Sequence, residues 1–210
     1  MTSREADTDA YLQPYREAHG DHGSDFAVTL WASPKTQKRR FELFTQMCFF
    51  AGKRVLDAGC SRGDFAHYLL QHDIPYGRYI GIDGLNEVIA FAQQRKLDRA
   101  EFHHGDIVTH PQLLRTGKPQ IIAISGTLNT MADETAMRLL DQAWDAAGEA
   151  LIFNFLSDRC GPDAPPQLDP ARRLDTLALI DWALQHTWNV QFRQDYFQHG
   201  HDATILMRKK

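Results

Sequence analysis

Short apolar runs alternate with longer amphipathic stretches over most of the chain. Val55-Leu56 closed by Asp57, residues 78–83 ending in Asp83, the stretch 101–107, residues 118–129 with the edge beyond their apolar run, and residues 148–157 read as strands. Compact apolar runs bounded by acids, Gly or Asn suit strands buried on both faces of a parallel sheet. Between them, 64–70, 88–97 and 136–147 read as helices. Phe41, Phe44, Met47 and Cys48 recur at helical spacing through about residue 50, after Ser33-Pro34, an N-cap followed by a first helical residue. Leu174, Leu177, Ala178, Ile180 and Leu184 mark a last helix. Residues 188–197 and 202–208 then alternate sides around Gln198-His199-Gly200-His201, the pattern of an antiparallel hairpin. The alternation predicts an α/β domain over 34–210. Tyr196, His199 and His201 fall at the hairpin's turn, where both histidines are expected as surface residues.

Two stretches stand outside this pattern. Residues 1–33 are polar, with Tyr11, Tyr15, Phe26 and Trp31 scattered among them, and form either a tail or a lid over a bound substrate. Residues 158–170 hold Pro162, Pro165, Pro166 and Pro170 and predict a loop on the rim where the strands end.

The chemistry concentrates at 55–66. Gly59 and Gly63 bracket a tight turn between a strand and a helix, where backbone N–H groups and the helix N-terminus can approach a ligand closely. A dinucleotide fingerprint needs Gly-x-Gly-x-x-Gly. Here position 61 is Ser and 66 is Ala, and Asp57 would repel a pyrophosphate. An acid there suits a ligand with a cationic amino group and no phosphate. The stretch resembles motif I of the class I S-adenosylmethionine-dependent methyltransferases, with Ser61 where a second Gly is usual. Ser is small enough for the turn.

The resemblance extends in order over about 28–210 and implies a doubly wound seven-stranded sheet, order 3-2-1-4-5-7-6, with strand 7 antiparallel. It implies S-adenosyl-L-methionine as cofactor, held around Asp57, Ala58, Gly59, Cys60 and Gly63. Asp83 and Gly84, at the end of the second strand, would meet the ribose; acids there accept hydrogen bonds from ribose hydroxyls. Asp106 and Ile107 would meet the adenine. Trp31-x-Ser33-x-x-x-Gln37-x-x-Arg40 is similar to a segment in which an Arg reaches the methionine carboxylate, which implies that role for Arg40, with Gln37 as a second candidate. Lys35, Lys38 and Arg39 are expected on a solvated face. Ser125 and Gly126, beyond the fourth strand, would face the transferred methyl.

No general base is identifiable. Asn129 and Asn154 are the catalytic candidates, against a helix cap for the first and a loop-pinning amide for the second. The chain has no Asn/Asp-Pro-Pro-aromatic motif and no Pro-Cys nucleophile, and Cys160 is expected to be an unreactive thiol. His103 and His104 are expected as strand residues.

Composition narrows the partners. The 210 residues carry a net charge of −4 and 43% apolar residues, enough for one well-cored domain. The three cysteines, 48, 60 and 160, lack metal or disulfide spacing, so no metal is expected. No segment reads as a membrane span or signal peptide, which predicts a soluble, cytoplasmic protein. Net acidity and the lack of a broad basic surface argue against nucleic acid. Methyl transfer to a small-molecule acceptor is therefore expected; the alternatives are a non-catalytic S-adenosylmethionine-binding protein or a methyltransferase acting on RNA or protein.

Overall fold

The computed structural model describes residues 10–23 and 25–209; residues 1–9 and 24 of the predicted lid or tail lie outside them. In chain order the elements are α1 (Gln13–His22), α2 (Pro34–Met47), β1 (Arg54–Ala58), α3 (Asp64–Gln71), β2 (Arg78–Asp83), α4 (Asn86–Gln94) and β3 (Ala100–His104). They continue with β4 (Ile121–Ile124), α5 (Asp133–Ala146), β5 (Ala150–Ser157), β6 (Arg173–Leu174), α6 (Thr176–His186), β7 (Val190–Arg193) and β8 (Asp202–Arg208).

The sheet runs β3-β2-β1-β4-β5-β8-β7. β8 lies antiparallel between β5 and β7, so the expected order holds, with the sixth and seventh strands now β7 and β8. One strand is additional. β5 has eight residues, yet β4 pairs only with Ala150–Phe153. The free edge beyond is filled by β6, whose Arg173 and Leu174 pair with Leu156 and Ser157. No apolar periodicity announces so short a strand; the length mismatch between β4 and β5 creates the place for it.

Strand alternation sends side chains to two cores. Leu56, Ala58, Ile80, Ile82, Ile122 and Ile124 pack with α5 and α6 through Leu139, Leu140 and Trp182. Val55, Tyr79, Ile121 and Ile152 pack on the other face with Phe41 and Phe44 of α2, Phe65 and Leu69 of α3, and Ile89 of α4. α2 starts as its sequence predicts: the Ser33 hydroxyl accepts the Thr36 N–H, Thr36 reciprocates in a capping box, and Pro34 takes the first turn.

Phe65 is the aromatic centre of the second core, 1% exposed, with the rings of Phe41, Phe44 and Phe50 at centroid distances of 4.9, 5.9 and 5.2 Å. Phe65→Ala should cost about 3–5 kcal/mol. Phe49→Ala, at a position 72% exposed, should change stability by less than about 0.5 kcal/mol. Urea midpoints of the two variants check this.

Candidate active site

The carboxyl ends of the parallel strands open into a cavity of about 450 Å³. Loop and strand chemistry bring most of the predicted residues to it. The β1 exit contributes Asp57, Gly59 and Cys60, the β2 exit Asp83 and Gly84, the β3 exit Ile107, and the β4 exit Ser125, Gly126 and Asn129. Arg40 and Gln37 reach it from α2. Ala58, Gly63, Asp106 and Asn154 do not line it.

The glycine turn is held from two sides. A Cβ on Gly59 would lie 2.0 Å from Thr127 Oγ1, and that hydroxyl donates to the Ala58 carbonyl at 3.0 Å. Asp83 accepts the Ser61 N–H at 2.8 Å and the Leu85 N–H at 3.0 Å. Ser61 has φ of +45°. The usual glycine there thus answers a left-handed backbone, more than a shortage of space. In this chain the bond to Asp83 offsets strain on the order of 1–2 kcal/mol.

Two acids of the site are protonated more readily than exposed carboxyls. Asp57, 2% exposed, accepts the Tyr79 hydroxyl; burial pushes its pKa up to about 7, and Asp83 and Asp64 add to the rise. Burial likewise raises Asp83 to about 6, against the opposing pull of its Leu85 and Ser61 N–H bonds. The Cys60 thiol is pushed up by burial and then by the Asp57 and Asp83 charges, which makes it a poor nucleophile.

Arg40 arrives at the wall with its charge already matched. Its Nε and Nη2 donate to Asp202 Oδ2 at 2.7 and 2.6 Å, and Nη1 donates to the Thr36 carbonyl at 2.9 Å. Its guanidinium packs on the rings of Trp31 and Phe197, 4.1 and 4.6 Å from their centroids. Asp202, fully buried, also accepts Tyr196 Oη–H and Asn154 Nδ2, the latter at 3.3 Å. Asn154 Oδ1 in turn accepts the Gly126 N–H at 2.8 Å. Asn154 therefore pins the β4-exit loop. Asn129 is no helix cap, since α5 begins at Asp133 after Ala132. Its Oδ1 accepts the Leu156 N–H at 3.0 Å, while its Nδ2 makes no hydrogen bond.

Asp106 stands behind the wall, where its Oδ1 accepts the Tyr11 hydroxyl at 2.5 Å and the Val108 N–H at 2.8 Å. The N-terminal segment covers the cavity through Leu12, Tyr15 and Trp31. It sits close: Cβ atoms on Gly84 and Gly126 would meet Leu12 at 2.7 Å and Trp31 at 2.4 Å. The far wall comes from Leu156, residues 165–171, Arg173 and His201. Sequence reasoning missed Arg173 and left His201 at the surface. Only β6 and the start of β8 bring them in, and neither residue carries a local motif. Among the described residues, no group of three or more His, Cys, Asp or Glu could hold a metal ion, and no helix is long and apolar enough to cross a membrane.

Two measurements check these electrostatics. Because Asp57 is raised from 3.8 to about 7 in the folded protein, its contribution to stability is greatest below about pH 4 and is lost as pH rises through about 7. Asp57→Asn should remove a decline of roughly 3–4 kcal/mol across that range, read from urea unfolding against pH. Arg40→Ala leaves Asp202 buried without its cation and should cost about 3–5 kcal/mol by the same method. A loss below about 1 kcal/mol would show that Asp202 is solvated once Arg40 is gone.

Residues 49–143 match a family model described as a methyltransferase domain. A search of curated proteins by sequence returns no match. Solved structures sharing the fold include magnesium protoporphyrin IX methyltransferase from Synechocystis PCC 6803 with bound S-adenosylmethionine, 16% identical, TM-score 0.64, covering 99% of this chain and 95% of that one. Phosphoethanolamine N-methyltransferase 1 of Haemonchus contortus, solved with phosphoethanolamine and S-adenosylhomocysteine, is 14% identical with TM-score 0.71, covering 99% of this chain and 50% of that one. An O-methyltransferase family protein from Burkholderia thailandensis is 15% identical with TM-score 0.71, over 95% of this chain and 63% of that one. At these identities the likeness carries the fold. The matched domain, the glycine turn and the antiparallel strand within the sheet agree with the resemblance to the class I methyltransferases, whose fold this chain shares.

Proposed function

We propose that this protein is an S-adenosylmethionine-dependent methyltransferase acting on a small molecule, with the N-terminal segment as its lid. The observation that carries the reading is the enclosure of the cavity by Leu12, Tyr15 and Trp31 on one side and by residues 165–171 on the other. Small ligands bind in such concave, mostly apolar sites of about 300–1,000 Å³.

The residues present fit the cofactor. Gly59 leaves no room for a side chain of its own, and Asp83 ends β2 with lone pairs beyond those its two N–H bonds use, suited to ribose hydroxyls. Ile107 would pack on the adenine. Asp106, held by Tyr11, would act there through its other oxygen. At the methionine end, Gln37 and the N–H groups that Arg40 does not give to Asp202 and Thr36 would meet the carboxylate, near Asp57 and Asp64. Once bound, S-adenosylmethionine supplies a methyl already activated on a sulfonium. The protein's part is orientation and exclusion of water. Ser125, Gly126 and Asn129 would border the acceptor, with Asn154 holding their loop rigid.

Labelled methyl groups should pass from S-adenosylmethionine into the small-molecule fraction of a cell extract. Label in RNA, DNA or protein alone would refute the small-acceptor reading. Asp83→Ala should weaken S-adenosylhomocysteine binding by about 1.5–3 kcal/mol in calorimetry. Unchanged affinity would remove the ribose from Asp83.

A further inference from the structure

The acceptor side of the cavity differs in charge from the cofactor side. Asp57, Asp64 and Asp83 gather at the β1 and β2 ends, whereas Arg173 and His201 stand across the sheet beside β5 and β8. The cavity's other guanidinium, on Arg40, is neutralised by Asp202. Arg173 has no such partner: among the described residues no carboxylate lies within ion-pair distance of it. Asp169, which lines the cavity from the proline loop, is exposed and forms no ion pair with it.

Backbone carbonyls hold the Arg173 side chain in place. Nη1 donates to Ser157 at 2.8 Å and to His201 at 3.3 Å, and Nη2 donates to Pro165 at 2.6 Å. Carbonyl dipoles orient a guanidinium but do not cancel its charge. A half-buried, unmatched cation at a cavity wall favours an anionic ligand there.

A second donor lies next to it. Leu156 pairs with Arg173 across β5 and β6, and the same Leu156 donates its N–H to Asn129 Oδ1. The Arg172 N–H, one residue away, donates to the Asn129 carbonyl at 2.8 Å. Asn129 is thereby fixed next to β6, 8% exposed and on the cavity wall, with its Nδ2 unused. An amide and a guanidinium lining one mostly apolar cavity offer an oxyanion two donors.

We infer that the methyl acceptor carries a carboxylate, received by Arg173 and by Asn129 Nδ2 at the β5–β6 corner. The inference rests on the small-molecule reading above and deepens it. The apolar wall from Leu156, Leu168 and Trp31 would take the rest of such a molecule.

Benzoate and its neutral counterpart benzamide, titrated into protein saturated with S-adenosylhomocysteine, test this by calorimetry. Benzoate should bind about tenfold more tightly than benzamide, and Arg173→Gln should erase that preference while leaving S-adenosylhomocysteine affinity unchanged. Arg173→Lys keeps the charge but not the three carbonyl bonds, so it separates recognition from loop support. Part of the preference surviving in Arg173→Lys supports the proposal, even if Arg173→Gln proves too unstable to titrate. No preference in the wild-type protein, a preference that survives Arg173→Gln, or its complete loss in Arg173→Lys would overturn the proposal. Loss of S-adenosylhomocysteine binding by the wild-type protein would instead strike at the cofactor site. Label appearing only in macromolecules would strike at the small-acceptor reading.

Discussion

A carboxylate with no access to water must find its partners inside the protein, and Asp202 is fully buried at the first position of β8. Desolvating it costs several kcal/mol unless its lone pairs are filled. Arg40, Tyr196 and Asn154 fill them, and each belongs to a different part of the chain. Arg40 brings α2 and, through its ring contact, Trp31 of the N-terminal segment. Tyr196 brings the turn of the β7–β8 hairpin, and Asn154 brings β5 with the Gly126 N–H on its other end. One buried charge thus joins the N-terminal segment, the antiparallel strand and the loop at the β4 exit. A buried ion pair adds little net stability over a well-packed apolar pair. Here it ties the three segments in one register, since each partner reaches Asp202 from a different part of the chain.

The same economy governs the rim. The N-terminal segment descends onto backbone where glycines leave room: Leu12 above Gly84 and Trp31 above Gly126. Thr127 approaches Gly59 from the side and locks the β1 and β4 exits together. These contacts bring three loops to within van der Waals distance around the cavity. The contacts are made by the Leu12, Trp31 and Thr127 side chains against glycine backbone. Positions of this kind tolerate no added methyl group without displacing a neighbour.

What could be read from the sequence was local. The strands of the parallel sheet announced themselves because both faces are buried, giving unbroken runs such as Ile121–Ile124. The glycine turn was legible because its conformation depends on residues within five positions, and the hairpin because alternation survives on a partly exposed strand. The sequence sets Arg40 apart from its basic neighbours, but its partner Asp202 lies 162 residues away and no periodicity links them. The sequence accounts for Ser61 only by its small size, whereas its positive φ is a backbone property. Asn154 showed only that a buried amide needs partners; which partners depended on the register of β5 against β8. β6 and Arg173 were invisible because a two-residue strand has no pattern, and its existence depends on β5 outrunning β4.

That same overhang explains how the cavity acquires two electrically different ends. A sheet whose strands all stopped level would leave the acceptor side to loop residues alone. By extending four residues past its pairing with β4, β5 offers backbone to β6, and β6 carries Arg173 onto the wall. The acids Asp57 and Asp83 stay at the β1 and β2 ends, separated from Arg173 by the strand order itself. With roughly 10 Å spanned by each pair of inter-strand steps, opposite charges at the two ends do not collapse into an ion pair. The Asn154-held loop at the β4 exit stands between them. The cavity thus has acidic residues at one end and a guanidinium at the other, with the apolar side chains of its lining between them.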